Sequence, residues 1–105
     1  MASLKEISEA EFKNFLQADD KVRVVKVGAT WCAPCQASKG PVAEVAEKLK
    51  GNVEIVEIDV DKCPNLGAEL MVRGVPLFIK WKGKEEVSRQ TGWAGTQGFE
   101  DWVKQ

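Results

Sequence analysis

Apolar positions along this chain alternate between a two-residue and a three-to-four-residue period. Val22-Arg23-Val24-Val25-Lys26-Val27 is an apolar run interrupted by two charges and predicts a buried strand. Val53 to Ile58 alternates, with Val53, Ile55 and Glu57 on one side and Glu54, Val56 and Ile58 on the other. Val75 to Trp81 reads as a further strand, Lys82-Gly83 as a turn, and Glu86 to Thr91 as its hairpin partner. Leu4 to Ile7 is a short first strand. Between these runs the period lengthens. Ser8-Glu9-Ala10-Glu11 fits a capping box, with Ser8 at the cap and Glu11 reaching back. Phe12, Phe15 and Leu16 mark one face of the helix that follows, ending near Asp19-Asp20. Val42, Val45, Ala46 and Leu49 predict a long helix from about Pro34 to Lys50, kinked at Gly40-Pro41 and closed by Gly51. Asp61 is expected to cap a short helix from Pro64 to Met71, and Thr96 a final helix carrying Phe99, Trp102 and Val103.

The resulting order is βαβαβαββα. Helical crossovers imply parallel neighbours and the hairpin an antiparallel pair. The expected fold class is therefore α/β: a central mixed five-stranded sheet flanked by four helices. A chain of 105 residues fits one domain, residues 1–105, and its 44% hydrophobic and 30% charged content is that of a globular protein. A formal net charge of −1, without a basic block, argues against a nucleic-acid partner. No apolar run approaches the ~20 residues of a membrane span. Met1-Ala2-Ser3-Leu4-Lys5-Glu6 lacks the apolar core of a secretory signal, so Met1 is expected to be a native start and the location cytoplasmic. Histidine is absent, which removes Cys-His catalysis and histidine metal sites. Three cysteines are an odd number for a stapled secreted fold, and no metal site is expected. No glycine-rich phosphate loop occurs, so no bound cofactor is expected.

The chemistry concentrates in Ala29-Thr30-Trp31-Cys32-Ala33-Pro34-Cys35, between the apolar strand and the long helix. Two cysteines three apart at a helix start share one face, with Cα atoms roughly 5 Å apart from helix geometry, within disulfide range. The free N–H groups and partial positive charge of a helix start favour a thiolate. Pro34 suits the first turn, where its missing N–H has no helical partner. Cys32, nearest the helix start, is the candidate nucleophile. Cys35, one turn deeper, is the candidate resolving thiol. The bare Cys-x-x-Cys spacing also fits a buried structural pair or half of a metal site.

The surrounding residues are more specific. Trp31 and Pro34 frame the cysteines, Asp59-Val60-Asp61 follows downstream, and then come Val75-Pro76 and Thr91-Gly92. In these motifs, and over its whole length, the chain resembles the thioredoxin family. Ala33 stands where the family motif has glycine. The resemblance implies the thioredoxin fold and a protein-disulfide reductase supplied with electrons by a thioredoxin reductase, a flavoprotein using NADPH. Its clients would be protein disulfides, and the chain a monomer. It implies a cis Val75-Pro76 bond facing the dithiol, so that Val75 pairs with an extended client. It also implies a client-binding surface including Trp31, Ala33, Pro34, Val75, Pro76, Gly92 and Trp93. For Trp93, in a loop between Gly92 and Ala94, an exposed apolar patch is expected; Trp102 and Trp81 are expected in the core. Gly28 replaces a frequent aromatic, which opens the rim.

Lys26 departs from the family pattern. A buried aspartate is usual there, opposite a lysine; this chain has Lys26 and Glu57, an inverted pair. Either the two meet on one face of the sheet, or each is solvated separately. If they meet, Glu57 is expected to accept the Cys35 proton, while the Lys26 ammonium favours the Cys35 thiolate. Cys63 has no partner in the sequence and reads as a small buried or half-exposed residue, with oxidation a minor alternative. Two other functions remain open: a disulfide oxidant or isomerase of the same fold, towards which Ala33 and the inverted pair would shift the potential, and a binding subunit for which the dithiol is dispensable.

Overall fold

A computed structural model describes residues 3–105, and the expectation about Met1 lies outside them. The elements are β1 (Lys5–Glu6), α1 (Glu9–Phe15), β2 (Val22–Gly28), α2 (Ala33–Lys48), β3 (Val53–Asp59), α3 (Pro64–Glu69), β4 (Leu77–Lys82), β5 (Glu85–Thr91) and α4 (Thr96–Lys104). The five strands lie in the order β1-β3-β2-β4-β5. β1 and β2 run parallel to β3, and β4 is antiparallel to β2 and β5. This is the expected α/β architecture, and the sequence order of elements is as read.

Strand alternation sorts the core into two faces. Val25 and Val27 of β2 pack with Val56, Ile58, Leu66, Ile79 and Trp81. Phe12 and Phe15 of α1 close that side. Val24 packs on the other face with Val42 and Val45 of α2, Ile55, Phe78, and Phe99 and Trp102 of α4. Lys26 and Glu57 share the parity of Val24 and Ile55, so both point towards α2. They are direct register partners across the β2–β3 pair.

Local signals account for most boundaries. The capping box of α1 is present: Ser8 Oγ accepts the Glu11 N–H at 3.1 Å, and Glu11 Oε1 accepts the Ser8 N–H at 2.9 Å. That helix ends at Phe15, before the expected Asp19-Asp20, because Leu16 is already extended. α2 runs unbroken through Gly40-Pro41, although Pro41 withdraws one donor from the Ala37 carbonyl. Two expected caps are corrected. Cys63, not Asp61, precedes α3, and it makes no side-chain cap. Asp61 lies two positions too far upstream and its carboxylate is turned towards Trp31. Gly95, with φ +87°, precedes α4, so Thr96 is already helical. The buried Lys80 closes the far end of α4, donating to the Trp102 carbonyl at 2.6 Å and the Gln105 carbonyl at 3.2 Å.

The β4–β5 hairpin also shifts slightly. β4 begins at Leu77 rather than Val75, since Pro76 has no N–H to give the ladder. Its turn is Gly83-Lys84, with Lys82 opposite Glu85. Gly83 has φ +61°, and its N–H donates to the Lys21 carbonyl at 2.9 Å. A Cβ there would run into the Asp19 carbonyl oxygen, a backbone atom with no freedom to retreat. Gly83→Ala is expected to cost about 1–3 kcal/mol, from the left-handed backbone and the clash together. Urea unfolding of the two proteins measures it.

Candidate active site: a dithiol at the start of α2

The loop from Gly28 to Trp31 delivers the chain from the buried end of β2 to the start of α2. Cys32 takes the N-cap position with extended backbone, φ −93° and ψ 110°. Its Sγ accepts the Cys35 backbone N–H at 3.2 Å, the role an oxygen side chain plays at most helix starts. The two cysteines are joined as a disulfide with Cα atoms 5.2 Å apart. Cys32 is 5% exposed and Cys35 1%, so the second cysteine is the more fully enclosed of the two. Ala29, Val60 and Val75 pack around them.

The remaining site residues fall into groups. Trp31 stands 70% exposed beside the dithiol, and its Nε1–H donates to Asp61 Oδ2 at 2.9 Å. Ala33 and Pro34 form the exposed first turn of α2. The Val75–Pro76 peptide is cis, as the resemblance implied. Val75 is half-buried against the cysteines, and the Gly92 N–H donates to the Pro76 carbonyl at 2.9 Å. Gly92 has φ +86°, which favours glycine at that turn. Trp93 is a correction. It is half-buried, with its ring centroid 6.1 Å from Phe78 and 6.0 Å from Phe99, so it is anchored in the α4-side core instead of forming a freestanding exposed patch. Trp102 and Trp81 are buried as expected. Cys63 is buried too, and that burial pushes its thiol pKa up, away from reactivity.

Behind Cys35 lies the inverted pair. Lys26, 1% exposed, directs Nζ to the Cys35 carbonyl at 3.0 Å and to Glu57 Oε2 at 3.4 Å. Burial pushes the Lys26 ammonium below the ordinary lysine pKa; Glu57 opposes this and Lys39 adds to it. Lys39 was not anticipated. It donates to Glu57 Oε1 at 3.0 Å, giving the carboxylate one lysine per oxygen. Its place four residues after Cys35, one turn along the same helix face, was the available signal. A cleft of about 40 Å³ lined by Lys26, Gly28, Cys35, Lys39, Glu57 and Asp59 connects these groups to the surface. That is room for about one water. Gly28 keeps it open, since a Cβ there would lie 3.5 Å from Cys35 Sγ.

A buried sulfur pair on a helix start, with one sulfur outermost and an ionisable cluster behind the other, defines a dithiol–disulfide oxidoreductase. The comparisons agree. The Thioredoxin family model matches residues 3–105, and the chain belongs to the thioredoxin family. It is similar to thioredoxin of Oryctolagus cuniculus, 37% identical over 86 residues and 81% of each chain. It is also similar to thioredoxin of Rickettsia felis, 26% identical over 97 residues and 92% of each. Among solved structures, chloroplastic thioredoxin z superposes with a TM-score of 0.85 at 27% identity, over 99% of this chain and 94% of that one.

The three-charge cluster makes an asymmetric stability prediction. In Lys26→Met, Glu57 keeps Lys39 and a buried charge disappears, so unfolding free energy should stay within about 1 kcal/mol of wild type or rise. Glu57→Leu leaves Lys26 charged and buried without a carboxylate, which should cost about 3 kcal/mol. Guanidinium unfolding of the oxidised proteins separates the two.

Proposed function

We propose that this protein is a protein-disulfide reductase in which Cys32 attacks and Cys35 resolves. The observation that carries the reading is the unequal placement of the two cysteines: Cys32 Sγ caps α2 and accepts an amide hydrogen, while Cys35 is almost fully enclosed. In the reduced protein the capping amides and the helix dipole favour the Cys32 thiolate. That thiolate attacks one sulfur of a client disulfide, and the client's other sulfur leaves as a thiolate. Cys35 then loses its proton and attacks Cys32 Sγ, which releases the second client thiolate and closes the Cys32–Cys35 disulfide. Two electrons have moved to the client.

Lys26 and Glu57 serve the second step. The Lys26 ammonium, held at the Cys35 carbonyl, favours the Cys35 thiolate, and Glu57 takes the proton through the water-sized cleft. Trp31, Ala33, Pro34, Val75 and Gly92 form the rim that meets the client, with the fully buried Pro76 behind Val75 and Trp93 supporting the Gly92 side from the core. Electrons return from a thioredoxin reductase, an NADPH-dependent flavoprotein. The chain works as a monomer, in a reducing compartment such as the cytoplasm, where a dithiol of this kind is kept reduced.

Insulin-disulfide reduction with dithiothreitol, repeated with a thioredoxin reductase and NADPH, tests the proposal. Wild type should accelerate insulin precipitation and Cys32→Ser should not. A Cys32 thiol that titrates as fully protonated at neutral pH, and does not react with disulfides, would end this reading. Glu57→Gln should slow mixed-disulfide resolution near neutral pH, by up to about 100-fold, the lower end of what a positioned base is worth. Identical resolution kinetics across roughly pH 6–9, the range in which such a base would show itself, would take Glu57 out of the mechanism.

A further inference from the structure

We propose that Lys39 is a positioning residue for the resolving step: by holding Glu57 at the mouth of the cleft, it keeps the Lys26 ammonium available to Cys35. The inference rests on the roles given to Lys26 and Glu57 above, and extends them to a side chain that no sequence motif singles out.

The geometry is a chain of three charges. Lys39 Nζ lies 3.0 Å from Glu57 Oε1, and Lys26 Nζ lies 3.4 Å from Glu57 Oε2. The shorter contact is therefore the outer one. The Lys39 side chain is 46% exposed, that of Glu57 12% and that of Lys26 2%, so the cluster runs inward from solvent to the sulfur. At its inner end Lys26 makes its better hydrogen bond to the Cys35 carbonyl, at 3.0 Å. A Cβ on Gly28 would lie 3.5 Å from Cys35 Sγ and 4.0 Å from Lys26 Nζ, so sulfur and ammonium flank one small gap with no side chain between them.

Glu57 is shared between the two lysines, with Oε1 turned to Lys39 and Oε2 to Lys26. While Lys39 occupies Oε1, the carboxylate is drawn outwards and neutralises Lys26 incompletely. Without Lys39 the carboxylate is free to close on Lys26, draw Nζ off the Cys35 carbonyl and cancel more of its charge. Less positive charge then faces Cys35, and the thiol holds its proton to higher pH. The other charged groups lining the cleft are Glu6 of β1 and Asp59 of β3, both acidic; from β4 the register partner of Lys26 is the apolar Phe78. Among the described residues at this cleft, Lys39 is thus the cation that competes with Lys26 for Glu57.

The step concerned is the attack of Cys35 on the Cys32–client disulfide. The proton leaves Cys35 through Glu57 to solvent, the new sulfur–sulfur bond forms as the client bond breaks, and the client thiolate departs. Stopped-flow reaction of the reduced protein with a chromogenic aryl disulfide resolves it: the first phase reports Cys32 and the second Cys35. In Lys39→Met the second phase should slow roughly threefold at neutral pH, and its pH midpoint should rise by about half a unit, the equivalent shift in thiol acidity. The high-pH plateau should be kept. Lys39→Arg should restore the wild-type profile. The shift should persist in about 0.5 M salt, because a contact pair is screened far less than a remote charge. In the Glu57→Gln background, Lys39→Met should add nothing.

An unmoved midpoint in Lys39→Met overturns the proposal. So does a shift that vanishes in high salt, which would make Lys39 a distant charge, or a shift that adds fully to that of Glu57→Gln. If Glu57→Gln alone leaves the second phase unchanged, the failure lies in the proton-acceptor reading. If Glu57→Gln slows that phase while Lys39→Met does not, the failure lies here.

Discussion

The site depends on how the start of α2 is satisfied. A helix leaves its first amides without partners, and most proteins supply a side-chain oxygen to meet them. Here Cys32 Sγ occupies that place and receives the Cys35 N–H. That hydrogen bond satisfies one of the free amides, and in the reduced protein the same amide favours a thiolate at Cys32. Structure and reactivity thus share one contact. The rest of the architecture holds α2 in position over the sheet, with Cys35 turned inwards and Cys32 left at the rim.

Placing α2 over β2 and β3 creates a second problem. The strand positions beneath Cys35 are Lys26 and Glu57, register partners facing the helix. A lone ammonium enclosed to this degree would be costly. The fold offsets that cost with a carboxylate and a backbone carbonyl, and a second lysine from α2 shares the carboxylate. Charge therefore accumulates behind the dithiol in a cluster that is buried at one end and wet at the other. The proposed proton transfer from Cys35 uses that gradient from enclosed to wet.

The two cores flanking the sheet show where such features are tolerated. The face covered by α1 and α3 is built mainly of valine, isoleucine, leucine and aromatic side chains, with the buried Arg23 at one end of β2 paired to Asp19. The face covered by α2 and α4 carries the aromatic cluster of Phe78, Phe99, Trp93 and Trp102, and it also encloses Lys26 and Lys80. Lys80 caps α4 through the Trp102 and Gln105 carbonyls with its ammonium 5.0 Å from the Trp102 ring. Both lysines are buried because backbone carbonyls at a helix are positioned to receive them. One of those helix ends holds the dithiol, and the other holds the last turn of the structure.

Periodicity together with cap and turn residues located the elements, because strands and helices leave different spacings and their ends carry local signals. The Ser8–Glu11 capping box was legible for the same reason: its partners are three residues apart. The dithiol was legible because both sulfurs lie within one turn of a helix whose start the sequence marks. What failed to show were contacts between residues far apart in the chain. Asp61 reads locally as a cap, but its carboxylate meets Trp31, thirty residues earlier. Trp93 reads as a loop residue, yet the fold of α4 brings Phe99 and Phe78 against it. The pairing of Lys26 with Glu57 was an open alternative until strand register decided it. Lys39 became part of the site only when α2 was laid across β3. By itself the sequence determined periods, caps and the chemistry of one helix start, since these act over a few residues. Which charges share the space behind the second sulfur was decided by tertiary packing, because burial and distance belong to the folded chain and not to the order of its residues.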